Sequence, residues 1–314
     1  MILHQFPDLQ WLKRQAEQRF SDGKGWGGRI LTQQGWPTVI LNTQTKHTVR
    51  DDIPGPLTIF SNISGTSNVA VDKKRVLVKD DFFFLSNQGQ RYTLEIDGET
   101  PTETFNIHFG EYFADQVLQS LKSPSHLLDN TFQKSTQRVE FHNSLQPHDI
   151  HTKQILQTIK LHGESNSMLL EELLVDLLRT ILRQDSQLKK IANGLPVIKH
   201  STRREILQRM LNATDYIYAF YDQPLSLEEL AAVACLSKFH FLRLFKIAFG
   251  KTPYQFINDV RICRAMDLLK HSSLDVHEVA ARIGFQNSSS FSRAFFQNAG
   301  MYPAIFKKKS TPGT

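Results

Sequence analysis

The side chains best suited to chemistry lie in two segments of the last third of the chain. The first segment presents Lys238, Phe239, His240, Leu242, Arg243 and Lys246. The second presents Asn287, Ser288, Ser289, Ser292 and Arg293. At helical spacing, such cations and hydroxyls contact phosphates, and an arginine bonds guanine through two donors. The pattern predicts contact with double-stranded DNA, with Arg243 as a base reader and Lys246 as a phosphate contact.

The two segments belong to an internal repeat. The pattern Phe-x-Arg-x-Phe, followed by Gly-x-x-Pro-x-x-Phe, starts at Phe241 and again 50 residues later at Phe291. A fixed period with constant internal spacing indicates a duplicated supersecondary unit. In the first copy, Phe241, Phe245 and Ala248 share the inward face of a predicted helix, which leaves the basic side chains facing outward.

Each copy also predicts a shorter helix before the basic one. Ser226 and Glu229 have the spacing of a capping box, and so do Asp275 and Glu278. A turn follows in each copy, at Gly284 in the second. Helix, tight turn and helix with an exposed basic face form the helix-turn-helix pattern, whose second helix enters the major groove.

These motifs carry a family resemblance. Gly284-Phe285, the repeated Phe-x-Arg-x-Phe and the Gly-x-x-Pro after each copy resemble the DNA-binding domain of AraC-family transcription regulators. The resemblance covers roughly the last 100 residues, and a duplicated pattern is more specific than one short motif. It implies two helix-turn-helix units joined by a long helix, here Tyr254 to Lys270. It also implies RNA polymerase as a partner and activation as the direction of regulation.

The net charge of +6 is concentrated in the same part of the chain. Residues 200–314 hold 15 Lys and Arg against 9 Asp and Glu, whereas residues 1–199 hold 22 of each. This is the electrostatic footprint expected for a polyanionic partner. A solvated basic face is the alternative that charge alone leaves open.

The N-terminal residues and the cysteines indicate the compartment. No basic segment followed by an apolar run opens the chain, and no stretch approaches the ~18 apolar residues of a membrane span. Cys235 and Cys263 have no metal-ligand neighbour at usable spacing, which predicts two buried, reduced thiols. The sequence therefore predicts a cytoplasmic protein that does not enter a membrane.

Residues 29–109 alternate between short apolar runs and segments rich in Gly, Pro, Asn and Asp. Such spacing predicts a β-sandwich or barrel. In the family that the chain resembles, this region is a cupin-like β-barrel that binds a small effector. Candidate effector contacts are Trp26, Trp36, Tyr92, Asn106 and His108, with Asn106 and His108 on one strand face.

The sequence offers no constellation for catalysis. Metal-dependent cupins need clustered His and Glu, typically with a His-x-His pair, and the β region has no such pair. A nucleophile elbow, a phosphate loop and a carboxylate pair are also missing. We therefore predict no catalytic residues, no metal and no cofactor. The rivals are a cupin-like enzyme with a DNA-binding tail and an effector-independent regulator with an empty barrel.

The segment from Met168 to Ile191 predicts a long amphipathic helix, and Gln184-Asp185 interrupt its apolar stripe. Its apolar residues recur at heptad-like spacing, at Leu170, Leu174, Leu177, Ile181 and Leu188. Such a stripe either packs on the barrel or forms the seam of a homodimer. Both interpretations are open from the sequence.

Together these patterns predict an α+β chain. Its expected parts are a cupin-like β-barrel sensing domain (1–110), a helical connector and dimerisation segment (111–195), a linker (196–204) and an all-α, AraC-type DNA-binding domain (205–314). The expected function is a sequence-specific, DNA-binding transcriptional regulator, an activator by family resemblance. Its barrel would sense a small effector, dimerise, or do both.

Overall fold

The computed structural model describes residues 1–20, 36–72, 74–122, 140–196 and 199–310. The chain divides into two compact units, residues 1–189 and residues 190–314. No helix among the described residues is long and apolar enough to cross a membrane. Cys235 and Cys263 are both exposed free thiols, so the prediction that they are buried is wrong.

In its described residues, the N-terminal unit combines one sheet with four helices. Its strands are β1 (Ile2–Leu3), β2 (Val39–Pro54), β3 (Thr58–Ser64), β4 (Thr66–Val71), β5 (Lys74–Lys79), β6 (Phe82–Ser86), β7 (Arg91–His108) and β8 (Leu145–Pro147). Its helices are α1 (Leu9–Phe20), α2 (Glu111–Lys122), α3 (Ile150–His162) and α4 (Ser167–Gly194).

The strands form an open sheet. Their order is β1-β2-β7-β3-β6-β8, with β4 paired to both β5 and β7, and β1–β2 is the parallel pair. Within the described part of the chain no pairing joins the two ends of this path, so the sheet of the predicted barrel domain is not closed by hydrogen bonds there. The end strands β1 and β8 span only two and three residues. Segments this short carry no alternation signal, which explains why the sequence did not predict them.

Strand β7 spans 18 residues and runs through Gly98 and Pro101, two residues that are typical of turns. It pairs with β2 in antiparallel register, and the register shifts between Thr45 and His47 on β2. Pro101 lies on β7 within this irregular stretch, between Asp97 and Thr102. A proline is tolerated at a bulge because its missing N–H is not needed there. The residues that are typical of turns therefore shift the pairing of β7 with β2 without ending the strand.

The two faces of the sheet have different surroundings. One face carries Ile59, Phe105 and Ile107, which form a core with α2, α3 and α4. The neighbouring residues on β7, Asn106 and His108, lie on the opposite face, as the strand period predicts.

The stripe of α4 belongs to this intrachain core. Leu174, Leu177 and Ile181 are each no more than 2% exposed and pack in the core of the sheet, and Leu170 is partly buried against it. These residues therefore pack on the sheet of their own chain, and a dimer seam along α4 stays a prediction. Heptad-like spacing defines an apolar face but does not identify its partner.

The polar residues Gln184-Asp185, where the apolar stripe is interrupted, lie within the continuous helix α4. Asp185 is buried and accepts a 2.8 Å hydrogen bond from Nδ1 of His142, and Nζ of Lys189 lies 2.6 Å from it. These partners lower the pKa of Asp185 against the opposing effect of its burial. A buried carboxylate is tolerated in the helix because both partners satisfy it.

The C-terminal unit is entirely helical in its described residues. Its helices are α5 (His200–Phe220), α6 (Leu227–Val233), α7 (Lys238–Phe249), α8 (Pro253–His271), α9 (Val276–Arg282), α10 (Ser288–Ala299) and α11 (Pro303–Ser310). Residues 200–204, predicted as part of a linker, lie in the first turns of α5. The polar run that suggested a linker is an exposed helix start.

Candidate nucleic-acid interface

The first copy of the repeat is a helix-turn-helix formed by α6 and α7. The Ser226 N–H donates to Oε2 of Glu229 at 2.8 Å, and the Glu229 N–H donates to Oγ of Ser226 at 3.2 Å. This is the predicted capping box, and it fixes where α6 begins. Cys235 occupies the turn with φ of 52°, and α7 then starts after Ser237.

The second copy repeats this geometry with α9 and α10. The Asp275 N–H donates to Glu278 at 2.6 Å, and the Glu278 N–H donates back to Oδ1 of Asp275 at 2.8 Å. Gly284 occupies the turn with φ of 84°. Asn287 accepts from the Ser290 N–H at 2.8 Å and caps α10. This contact assigns the predicted DNA ligand Asn287 a capping role in the free protein.

Matched phenylalanines hold both second helices. Phe245 packs against Phe241 and Phe256 with ring centroids 5.3 and 5.5 Å apart. The equivalent rings in the second copy follow the same pattern, with Phe295 at 5.6 Å from Phe291 and 5.4 Å from Phe306. Glycine then ends each helix in the left-handed region, with φ of 69° in both copies. The two copies are therefore one framework built twice.

Helix α7 presents a strongly cationic and apolar outer face. Arg243, Lys246 and His240 are exposed, and Phe239 is 91% exposed. Leu242, which the sequence also placed among the DNA contacts, is half-buried. A large aromatic ring so open to water is unusual and fits contact with thymine methyl groups.

Lys238 differs from the other cations of α7 because it has a partner within the chain. Its Nζ forms a short ion pair with Glu228 of α6, and this hydrogen bond lowers the pKa of the Glu228 carboxyl. A phosphate contact by Lys238 would therefore have to replace this pair, whereas Arg243 and Lys246 are not held in any comparable ion pair in the described structure.

Helix α10 presents a weaker outer face. Ser288 bonds Nδ1 of His277 at 2.9 Å, and Nε of Arg293 donates to the Ser289 carbonyl at 3.4 Å. Ser289 and Arg293 are exposed and Ser292 is half-buried. Where α7 has Lys246, α10 has Phe296, whose ring packs on Tyr302 at 4.9 Å. The second helix thus offers one cation on this face where the first offers two.

Arg261 on α8 joins the segment before the first copy to the turn of the second copy, and it was not identified from the sequence. Its Nε donates to the Tyr221 carbonyl at 2.6 Å, and its Nη2 donates to the Gln223 carbonyl at 2.9 Å. The guanidinium lies over the ring of Phe285, 5.5 Å from its centroid. The repeat could not reveal it, because Arg261 lies beyond the Gly-x-x-Pro-x-x-Phe pattern that the two copies share.

Gly284 shows how closely this junction is packed. A Cβ at Gly284 would lie 2.5 Å from the Asp222 carbonyl oxygen and 3.0 Å from Nη2 of Arg261. No side chain fits there without movement of the backbone. The segment that precedes α6 and the turn between α9 and α10 are therefore in direct contact.

In the N-terminal unit, three of the five predicted effector contacts come together. Tyr92, Asn106 and His108 line one cavity of about 10 Å³. Trp36 does not line this cavity, and Trp26 lies outside the described residues. Burial lowers the pKa of His108 to about 4 and raises that of Tyr92, so both side chains are neutral near pH 7. Across the described ranges, no group of three or more His, Cys, Asp or Glu side chains could hold a metal ion.

Comparison with known proteins gives matches over the repeat. A family model described as a helix-turn-helix domain matches residues 230–309. The HTH-type transcriptional activator RhaR of Cronobacter sakazakii is 34% identical over 88 residues, covering 28% of this chain and 31% of that protein. The MmsAB operon regulatory protein of Pseudomonas aeruginosa is 31% identical over 128 residues, 41% of each chain. The chain spans less than half the length of the curated relatives it matches.

Among solved structures, one match is the DNA-binding domain of AdpA in complex with a target DNA. It is 28% identical, with a TM-score of 0.31, and the match covers 32% of this chain and 91% of that chain.

Proposed function

We propose that this chain, a member of the AraC family of regulators, binds DNA through its C-terminal unit and regulates transcription at the sites it recognises. The observation that carries the proposal is the duplicated helix-turn-helix, in which one framework presents two outward helices. Helix-turn-helix proteins place this second helix in the major groove.

The first copy has the side chains that are better suited to recognising specific bases. Arg243 is exposed on α7 and can donate two hydrogen bonds to one guanine. Lys246 lies one helical turn further along the same face and suits a phosphate, which gives affinity without sequence preference. We assign Phe239 to apolar contact with thymine methyl groups because water surrounds its ring in the free protein.

Helix α8 supports the use of two neighbouring grooves. It contains 19 residues, which corresponds to about 28 Å at 1.5 Å per residue. Successive major grooves on one face of a duplex are about 34 Å apart. The widths of the two flanking copies make up the difference, so one chain would cover two adjacent grooves.

The test is selection of bound sequences from a random DNA pool with the full chain, followed by titration at several salt concentrations. Arg243→Ala should erase the base preference in one half of the selected site. Lys246→Ala should weaken binding to every sequence and reduce the salt dependence. Arg14→Ala, at an exposed position of α1, is the matched control and should change neither. A folded chain without salt-sensitive DNA binding would reject the proposal.

We further propose that the N-terminal unit senses a small effector in the cavity lined by Tyr92, Asn106 and His108. Their convergence from β7 into one cavity supports this role. We also propose that the chain acts as a homodimer and activates transcription together with RNA polymerase, as regulators of this family do. Sedimentation of the full chain tests the dimer, and in vitro transcription from a selected site tests activation.

An enzyme with a DNA-binding tail is the competing function. The relatives that the chain matches are named as transcriptional regulators. Metal analysis of the purified protein separates the two, because a stoichiometric bound transition metal would favour a cupin-type enzyme.

A further inference from the structure

The cavity in the N-terminal unit contains a buried cation. Arg50 lies on β2 and is 9% exposed. Its Nη2 donates to the Pro7 carbonyl at 2.6 Å, and its guanidinium lies 5.5 Å from the ring centroid of Phe6. Burial lowers the pKa of Arg50, yet a guanidinium stays charged in proteins. A full positive charge is therefore held inside the fold.

No carboxylate forms an ion pair with this charge among the described residues, although the nearby Asp8 and Asp51 act to raise the pKa of Arg50 against the larger effect of burial. Asp51, the next residue in the chain, pairs with Lys13 at 2.9 Å. Asp8 accepts a hydrogen bond from the Trp11 N–H at 2.7 Å. Burying a charge without a counter-ion is costly, and proteins rarely retain such a charge unless something compensates it.

A second donor in the same cavity also lacks a partner. Asn106 is 1% exposed, and its Oδ1 accepts from the Ser61 N–H at 3.1 Å. This bond fixes which end of the amide is the oxygen. The Nδ2 group is buried and has no hydrogen-bond partner in the described structure. An unmade hydrogen bond of this kind costs about 1–3 kcal/mol, so its retention calls for a ligand that accepts it.

The remaining wall is aromatic and uncharged. Phe60 and Tyr92 meet edge to face with centroids 5.0 Å apart, and His108 lies 6.0 Å from Tyr92. The Thr58 hydroxyl donates to the Pro56 carbonyl at 3.0 Å, so Nδ1 of His108 donates to Thr58 at 3.1 Å. The imidazole is then neutral with Nε2 as an acceptor, and no lining residue carries negative charge.

We propose that this cavity binds a small organic carboxylate, with Arg50 as its charge partner and Asn106 as a second donor. The proposal rests on the regulatory function proposed above, because it gives the chemical class of the effector. A carboxylate offers two oxygens in one plane, which suits a guanidinium and an amide donor. The aromatic wall favours an anion with an apolar body over an inorganic phosphate, whose surface is polar throughout.

The cavity must enlarge to admit such a molecule. At about 10 Å³ it has room for roughly one water molecule. Phe6 is the lining residue that lies outside the strands, between β1 and α1. Its displacement would open the space beside Arg50 while the sheet stays intact. A pocket that a ligand opens in this way is a minor conformation made dominant by binding.

The first experiment compares matched probes on the full chain by thermal unfolding. Benzoate and hexanoate are the carboxylates, and benzamide and hexanamide are their neutral counterparts. A bound carboxylate at about ten times its Kd should raise the unfolding temperature of the N-terminal unit by roughly 3–6 °C. The amides should leave it unchanged. Equal shifts with the amides, no shift with any probe, or a larger shift with inorganic phosphate would each overturn the proposal.

The variant Arg50→Gln tests whether Arg50 binds the ligand or only stabilises the fold. Without ligand, the variant should unfold at a higher temperature, because the uncompensated charge is gone, and the shift with benzoate should disappear. Arg14→Gln is the control and should keep both the original unfolding temperature and the shift. A lower unfolding temperature together with a retained benzoate shift would show that Arg50 serves the fold alone.

Asn106→Asp provides an independent check, because it places a carboxylate in the cavity itself. This variant should be more stable than the original chain and should no longer respond to benzoate. A variant that still responds would contradict the assignment of the cavity.

DNA affinity measured in the same samples distinguishes failure of the ligand class from failure of the regulator function. Salt-sensitive DNA binding without any Arg50-dependent carboxylate shift rejects the carboxylate and leaves the regulator function intact. A carboxylate shift without DNA binding supports the cavity assignment and rejects the regulator function.

Discussion

The two copies of the helix-turn-helix differ in what they show to solvent and not in how they are built. Both begin with a capping box, and both end the second helix at a glycine with φ of 69°. Yet α7 presents Arg243 and Lys246, whereas α10 presents Arg293 and an aromatic ring at Phe296. Duplication therefore preserved the packing residues and left the outward positions free to diverge. Any difference in DNA contacts between the two copies would therefore come from a few exposed side chains.

The largest effect should come from breaking the shared framework. Phe245→Ala and Phe295→Ala each remove a ring that is fully buried, and such losses cost about 3–5 kcal/mol. Because two of the ring contacts are equivalent, the two variants should be destabilised to a similar extent. Phe245→Ala should be somewhat the more costly, since Phe245 also packs on Phe249 at 4.6 Å, where the second copy has Ala299. Chemical denaturation with hydrogen exchange at α7 and α10 measures this. A loss in one copy several times larger than in the other would disprove the equivalence.

The next effect concerns base reading. Arg243→Ala should cost about 1–3 kcal/mol at one base pair and relax the preference there. Arg293→Ala should cost less, because Nε of Arg293 is already engaged by the Ser289 carbonyl. Ser289→Ala and Ser292→Ala should change less than Arg243→Ala. Base-by-base substitution of a bound site is the measurement, and a preference concentrated in the groove of the second copy would reverse the ranking.

A smaller effect is expected at the position where α7 carries a cation and α10 does not. Lys246→Ala should lower the slope of log affinity against log salt by about 0.9, and Phe296→Lys should raise it by a similar amount. Both changes should act alike on specific and random DNA, since phosphates carry no sequence information. A slope that Phe296→Lys leaves unchanged would show that α10 does not approach the backbone at this position.

The smallest expected effect is a difference in pH dependence between the N-terminal caps of α6 and α9. Hydrogen bonds from the backbone N–H groups of Glu278 and His277 lower the pKa of Asp275 below its usual value. A lowered carboxyl pKa means that the capping contribution is present above the unfolded pKa of about 3.9 and is lost as pH falls through the folded value. Asp275→Asn keeps a good cap that does not titrate.

The unfolding temperature of Asp275→Asn should therefore match that of the original chain near neutral pH and fall less steeply below about pH 4. Ser226→Asn, at the equivalent position of the first copy, is the control. There neither the original residue nor its replacement titrates, so the acid sensitivity should not change. Equal acid sensitivity in all three proteins would rule out a contribution from the Asp275 cap.

The repeat made the C-terminal unit predictable from sequence. Capping boxes, aromatic spacing and the turn at Gly284 are local signals, and each was confirmed where it was placed. Lys238 and Asn287 show the limit of such signals, because a pattern identifies an outward residue but not its partner in the free protein. Lys238 pairs with Glu228, and Asn287 caps its own helix.

The N-terminal unit was less predictable because its contacts are long-range. The spacing of Leu174, Leu177 and Ile181 gave an apolar face, and only the folded chain shows that the sheet covers it. Arg50 was missed because it lies in a polar stretch before two aspartates, which is typical of an exposed strand end. Arg50 and Asn106 line one cavity although they pair with distant positions of the β2–β7 ladder, Leu94 and Leu41, and short-range patterns do not encode such an encounter.

The junction of Arg261 and Gly284 has a consequence for the spacing of target sites. The segment before the first copy contacts the turn of the second copy. We therefore expect a restricted angle between the two outward helices and a DNA affinity that depends on the twist of the duplex. One inserted base pair between two groove contacts turns the second groove by about 35°. Two helices held at a fixed angle cannot follow that rotation. The DNA affinity should therefore fall even though every base that they contact is still present. Arg261→Ala should loosen the junction. The variant should then discriminate less than the original chain between target sites of different spacing.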